Sequence, residues 1–448
     1  LYINGYVLDT HVQSDIVTSE NFKPLRAYSI FLLATAFYLY EFILQVAPAV
    51  MAAPIMQTFN VGATGYGMIA AFYFYAYAPM QLPAGLLFDR YGPRKLMTIA
   101  LTLCALGSAF FASTSSIITA ALGRLFIGFG SAFSFIGALV LLSRWFPPTH
   151  FAILAGIGQA MGSIGAMYGE KPLALLIRAF GWREASFILC GVGLGLACLI
   201  WLFIRDFPNK STQERPKERF RDEWKRLKAV CGRRYTWLTG IYACTIWTPI
   251  AVFAGLWGIP YLEVRYDTNL LVASVMCSMV WLGTIVGSPL FGWVSDKIKN
   301  RRIVLGTSAC FGLVATSIVL YVPNIPMSWM HAILFFFGLG ASGQAVSFAV
   351  VKDNNDPKLV GTACGFNNLS VVIGAAFFQP MVGVVLQKIG DVTVVDGVSL
   401  YQLASYQKAL LIMPLSYLIN LLLVIFLFKE SHPEHKQQGI ARDSHIGD

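Results

Sequence analysis

Two ionisable residues stand deep inside apolar sequence, and their chemistry is that of a proton site and an anion site. Glu41 is the only charge between Arg26 and Asp89, and Arg124 the only one between Leu96 and Ser143. A carboxyl among apolar groups can take up and release a proton. A guanidinium offers a planar fork of donors to an anionic group. On a helix, Tyr38, Glu41, Gln45 and Pro48 share one face, as do Tyr73, Tyr77 and Gln81. Gln159, Gln344, Asn367, Asn368 and Gln379 add uncharged donors and acceptors within other apolar runs. As a set they outline a polar, aromatic-lined cavity, although each alone is equally well explained by helix–helix hydrogen bonding. The six histidines lack metal-ligand spacing, and there is no nucleophile–base pair and no phosphate-cradling loop. Neither an enzyme, a metal site nor a cofactor is therefore expected.

Lipid is the solvent these residues must be placed in. Of 448 residues 56% are hydrophobic and only 12% charged, whereas a soluble domain carries about 25% charged residues. A bilayer core needs about 20 apolar helical residues per crossing. Apolar runs of that length, nearly free of charge, occur twelve times, six before and six after a charged stretch from Arg205 to Arg234. Backbone in lipid must be hydrogen-bonded internally, so long runs are helices, and a barrel would instead show short alternating segments. The fold class is all-α integral membrane. The expected division is 1–26 an N-terminal segment, 27–205 a six-helix bundle, 206–234 a central linker, 235–428 a second six-helix bundle and 429–448 a tail. Glu41 lies about 20 Å from one end of its span and Arg124 about 12 Å from the other end of its own, at 1.5 Å per residue. The two depths nearly coincide, so the pair is expected to face one cavity and to be able to meet there.

The net charge of +10 is not that of a nucleic-acid binder. The basic residues cluster in alternate gaps and at the termini, which is the positive-inside pattern and puts both termini in the cytoplasm. Residues 1–26 lack a signal-peptide pattern, so the first span is expected to direct insertion. None of the eight cysteines lies in an outer gap, and all are expected as thiols. The linker places Phe220, Trp224 and Leu227 at i, i+4, i+7 among Arg and Lys, suiting a helix on the membrane face. Adjacent Glu170 and Lys171 either line an outer vestibule or mark the end of the fifth span, the second being the plainer reading. No glycosylation acceptor falls in an outer gap, which suits a bacterial inner membrane.

The two halves repeat. Gly85-Leu-Leu-Phe-Asp89-Arg90-Tyr-Gly92-Pro-Arg94-Lys95 is matched by Gly292-Trp-Val-Ser-Asp296-Lys297-Ile-Lys299-Asn-Arg301-Arg302, about 207 residues on. Gly156-Ile-Gly158-Gln159 is likewise matched by Gly365-Phe-Asn367-Asn368. At these residues the chain resembles the major facilitator superfamily. The first segment is similar to that family's loop between helices two and three, and Arg124-Leu-Phe-Ile-Gly128-Phe-Gly130 to its fourth-helix motif. The resemblance implies two pseudo-symmetric six-helix bundles and rocker-type alternating access. It also implies a conformational latch built from Gly85, Asp89, Arg90, Gly92, Arg94, Gly292, Asp296 and Arg301. In that latch Gly85 would let two helices approach closely, and Asp89 would accept hydrogen bonds from Arg94 or a helix N-terminus across the seam.

The expectation is a secondary active transporter, working as a monomer, that imports a small polar or anionic organic solute with protons. Glu41 would bind the proton or a substrate cation, and Arg124 would hold an anionic group or tune Glu41. A structural ion pair is the alternative role for the two. A drug/proton antiporter is a second reading, weakened because Gly158, Gly162, Gly165 and Gly169 lack the Gly-Pro step of the antiporters' fifth helix. A transporter-like membrane sensor is a third. It would show binding without flux.

Overall fold

The computed structural model describes residues 24–208, 220–356, 359–389, 392–395 and 398–431. The first bundle comprises α1 (Pro24–Val46), α2 (Ala52–Phe59), α3 (Ala63–Met80), α4 (Ala84–Tyr91), α5 (Pro93–Ser113), α6 (Ile117–Ser131), α7 (Ser134–Trp145), α8 (Pro148–Tyr168), α9 (Lys171–Phe180) and α10 (Trp182–Phe203). After the linker helix α11 (Phe220–Cys231), the second bundle follows with α12 (Arg234–Val252), α13 (Gly258–Tyr266), α14 (Leu270–Lys297), α15 (Arg301–Tyr321), α16 (Met327–Ala341), α17 (Gly343–Asn354), α18 (Val360–Ile389), α19 (Leu403–Ala409) and α20 (Ile412–Phe426). Several spans are two helices in series. Among the described residues ten stretches are each long and apolar enough to cross a membrane, and α3–α4 and α8–α9 complete twelve. The outside is apolar, with Trp201 46%, Phe203 58% and Phe426 75% exposed, as a chain solvated by lipid requires.

Helix starts follow ordinary capping chemistry. Pro93, Pro148 and Pro172 occupy first-turn positions, where a missing N–H costs nothing. Asn269 accepts from Leu271 N and Val272 N at 3.1 Å, and Asn300 from Ile303 N at 2.9 Å. The start of α5 and its counterpart α15 are held by carboxylates from the last span of the same bundle. Asp206, just past α10, accepts from Arg94 N at 2.8 Å, and Glu430, just past α20, accepts from Arg301 N and Arg302 N at 3.0 Å. Gly92 turns into α5 at φ 76°, with Asp206 where a Cβ would sit.

Helix packing repeats with the sequence. A Cβ on Gly128 would lie 1.9 Å from Tyr73 O, and one on Gly338 1.9 Å from Val280 O. Each glycine thus brings the fourth span of its bundle onto the backbone of the second. Gly85 and Gly292 differ from the sequence expectation: nothing lies within 4 Å of a Cβ at either. Gly85 lines an open cavity instead of a helix contact.

Two other elements depart from the sequence reading. The side chains of Phe220 and Trp224 lie outside the described set, but Leu227 of α11 packs with Val230, Val351, Ala363 and Phe366. That part of the linker's apolar face is used against α17 and α18. Between α18 and α19 a hairpin, β1 (Val392–Val395) and β2 (Val398–Tyr401), pairs Val395 with Val398 across a two-residue connection. Asp396-Gly397 is a strong short hairpin signal, flanked by β-branched residues.

Because the contact partner at Gly128 and Gly338 is backbone, it cannot turn aside. Gly128→Val and Gly338→Val should each cost about 2 kcal/mol or more, read as a fall in melting temperature of the detergent-solubilised protein, while Gly85→Ala leaves it unchanged.

Candidate transport site and gates

Glu41 and Arg124 come to one neighbourhood but do not pair. Glu41 is fully buried in α1 and accepts a hydrogen bond from the Tyr73 hydroxyl on Oε1, while Oε2 has no partner. Arg124 of α6 lies with its guanidinium 5.1 Å from the centroid of the same Tyr73 ring. Its Nη1 donates to Leu44 O at 2.6 Å and its Nη2 to Gln45 O at 3.2 Å. The reason lies in α1, which breaks into a 3-10 turn at Ala47–Val50. Pro48 has no N–H to give Leu44 O four residues back. Arg124 supplies the missing donor and a cation at the negative end of the helix. Buried Arg124 Nε keeps one donor unused.

The remaining candidates fall into two groups. Tyr38 donates to Gln159 Oε1 at 3.4 Å and packs on Phe135 at 4.9 Å. Tyr77 stacks on Tyr73 at 5.6 Å, and Gln81 accepts from Asn368 Nδ2 at 2.7 Å, so α3 carries these polar groups from Glu41 to the second bundle. Gln45 contributes its carbonyl to Arg124. The second group stays within its own bundle. Asn367 donates to Ser347 at 3.0 Å, Ser347 bonds to Gln344, and Gln379 Nε2 donates to Ala251 O at 2.7 Å beside the π-helical turn Phe253–Trp257.

Between the bundles, at the end that bears the basic loops, lies a cavity of about 680 Å³. Gln81, Asp89, Phe135, Arg226, Phe348 and Asn368 are among its walls. The opposite end is closed by contacts from bundle to bundle. Thr64 N donates to Gln387 Oε1 at 3.1 Å, Ala63 N to the Tyr401 hydroxyl at 3.2 Å, and Thr284 Oγ1 to Ser163 Oγ at 3.1 Å. Tyr66 meets Trp257 edge-on at 5.1 Å. Glu170 is part of this seal, with no exposed surface and with Ser278 Oγ and Trp281 Nε1 of α14 at 2.7 and 2.9 Å. Its neighbour Lys171 is exposed. The reading of Glu170 as a span end is therefore corrected: it is a buried contact between bundles. Its partners lie more than a hundred residues away in sequence, with no local signal to announce them.

A sequence profile described as Major Facilitator Superfamily matches residues 29–379. The chain belongs to the Major Facilitator Superfamily. Among similar proteins, the probable sulfoacetate transporter of Cupriavidus necator is 22% identical over 79% of this chain and 86% of its own length. The hexuronate transporter of Bacillus subtilis is 24% identical over 73% and 81%, and the probable galactarate/D-glucarate transporter of Escherichia coli 21% over 69% and 76%. The fold is shared with the nucleoside transporter NupG (TM-score 0.70, 12% identity, 89% of this chain and 100% of that one). It is also shared with a bacterial homologue of the human lysosomal transporter Spinster (TM-score 0.66, 17%, 90% and 95%). Family and relatives are transporters, so this facilitator moves a small solute across a membrane and is not an enzyme.

Among the described residues, those that resemble the superfamily's loop motif bond within their own bundles. Asp89 accepts from Arg144 of its own bundle at 3.4 Å and is 58% exposed. Arg94 donates through Nε to Trp201 O at 2.7 Å and stacks on the Trp201 ring at 4.2 Å. Arg90 lies 5.4 Å from the Tyr91 ring. In the second copy Arg301 binds Asp296 at 2.5 Å and Asp353 at 3.1 Å. The expected partner of Asp89, Arg94, is engaged elsewhere, and Asp89 itself lines the cavity.

If Arg124 repairs the break in α1, the repair should be transferable. Arg124→Gln should cost about 2 kcal/mol of stability, and adding Pro48→Ala, which returns an N–H to Leu44 O, should recover part of it in a double-mutant cycle of melting temperatures.

Proposed function

We propose that this facilitator imports a small organic anion together with protons, with Glu41 as the proton site. The observation that carries the reading is Glu41 itself. It is a carboxyl with no exposed surface, one oxygen unpartnered and no cation paired to it, because Arg124 is committed to the end of α1. A charge held so is costly at membrane depth, so Glu41 is neutral here and ionises when water or a released Arg124 reaches it. The basic loops mark the cytoplasmic side of a bacterial inner membrane, and the cavity then opens inward. The anionic class rests on the relatives, whose names specify sulfoacetate, hexuronate and galactarate or D-glucarate. Arg124 is the cation available to such a solute, with Nε unused. Driving force agrees in sign. Moving one negative charge inward against an interior-negative potential costs about 2.3 kcal/mol per 100 mV, and a co-transported proton cancels that charge.

The check is uptake of a hexuronate, D-glucarate and sulfoacetate into proteoliposomes, with the outside acid and with the gradient collapsed. At least one solute should accumulate only with the gradient. Glu41→Gln should keep solute exchange between the two sides while gradient-driven accumulation falls at least ten-fold. Accumulation at the normal level in that variant removes Glu41 from the coupling role; failure of all three acids removes the solute class.

A further inference from the structure

We propose that Glu170 is a second proton-binding site, one that takes a proton from the outer side when the outer gate closes and returns it to that side on opening. The claim rests on the topology proposed above, but not on Glu41. It follows from counting hydrogens. Ser278 Oγ lies 2.7 Å from Glu170 Oε2 and 2.8 Å from Ser274 O. A hydroxyl has one hydrogen, and a carbonyl oxygen can only accept. Both contacts are filled at once only when the carboxyl carries a hydrogen of its own toward Ser278 Oγ and the Ser278 hydrogen goes to Ser274 O. Trp281 Nε1, which can only donate, serves the other oxygen, Oε1, at 2.9 Å. Glu170 Oε2–H to Ser278 Oγ–H to Ser274 O, with Trp281 N–H to Oε1, satisfies every group. An ionised Glu170 leaves one of these bonds without a hydrogen.

The surroundings supply no cation: the groups facing the carboxyl, Ser278, Trp281 and Cys277, are all neutral. Cys277 of α14 is the titratable neighbour, and it carries no positive charge. The turn Ala47–Val50 brings only alanine, proline and valine, and Phe42 of α1 contributes a ring against Trp281 at 6.3 Å. On α9, Lys171 and Arg178 are exposed. Both groups that bond to Glu170 belong to the opposite bundle, so the site exists only while the outer ends are together. Opening exposes the carboxyl to outer water, where it ionises. Closing requires the carboxylate to gain one proton from the same side. Because the proton enters and leaves on one side, it is not among those delivered with solute; it sets how readily the gate closes.

The test measures gate closure without solute. Spin labels on non-canonical residues at Ser115 and Ser328, both exposed at the outer end, report the distance across the gate in nanodiscs. For wild type the closed-to-open ratio should rise as pH falls, by up to about ten-fold per pH unit through the titration. Glu170→Gln reproduces the neutral acid, its amide N–H facing Ser278 and its carbonyl facing Trp281, and should stay closed with no pH response. Glu41→Gln should keep the wild-type gate response even if solute coupling is lost, which separates the two sites. Combined Ser278→Ala and Trp281→Phe keeps the carboxyl but removes its partners, and should shift the response to lower pH. A Glu170→Gln gate that still follows pH, or a double variant that responds as wild type does, overturns the proposal.

Discussion

No water reaches a helix interior in lipid, so any backbone group that a break in a helix releases must be satisfied by another helix. Much of the buried polar chemistry of this protein answers that requirement. Pro48 frees Leu44 O, and Arg124 fills the gap; the Tyr66 hydroxyl then caps Pro48 O at 2.8 Å. At the π-helical turn in the seventh span, Gln379 reaches Ala251 O, and Trp257 Nε1 returns a bond to Gln379 O at 3.0 Å. At the end of α15, Tyr261 and Arg265 both donate to Val319 O, and Arg265 also to Val322 O. Residues that look functional because they are polar and buried thus have a structural occupation first. Among the described buried side-chain atoms without a partner, Glu41 Oε2 is the one that belongs to a carboxyl.

The same constraint explains why the two ends of the molecule differ. The far end is joined by bonds that run from one bundle to the other, several involving main-chain N–H or C=O groups. At the basic end, Asp89, Arg94, Asp296 and Arg301 bond within their own bundles, and a cavity opens below the Gln81–Asn368 bond, with Asp89 in its wall. Among the described residues few bonds cross the seam, and Glu170 is the carboxyl among them.

Charge spacing made the twelve spans legible, because lipid forbids the charges that would otherwise blur them. The matched loops around Asp89 and Asp296 made the duplication legible, and the depths of Glu41 and Arg124 brought them to one level. Their pairing did not follow, because depth says nothing of which carbonyls a proline has left bare. Gly85 was read as a close contact from its neighbours in sequence, yet it borders the cavity; close approach falls at Gly128 and Gly338. Glu170 sat beside Lys171 and resembled the edge of a span, since only the folded chain brings Ser278 and Trp281 to it. Asp396-Gly397 is a short turn signal in the sequence, overshadowed by the membrane spans on either side.

The carboxylates of Asp206 and Glu430 each seize the start of the third span of their own bundle from a position just beyond its sixth. Each half therefore closes on itself, like a belt whose free end is buckled to its middle. A single ancestral half would already have owned this fastening. Joining two copies through a connecting segment could then make one polypeptide of a pair without asking either partner to invent a new way of holding its shape.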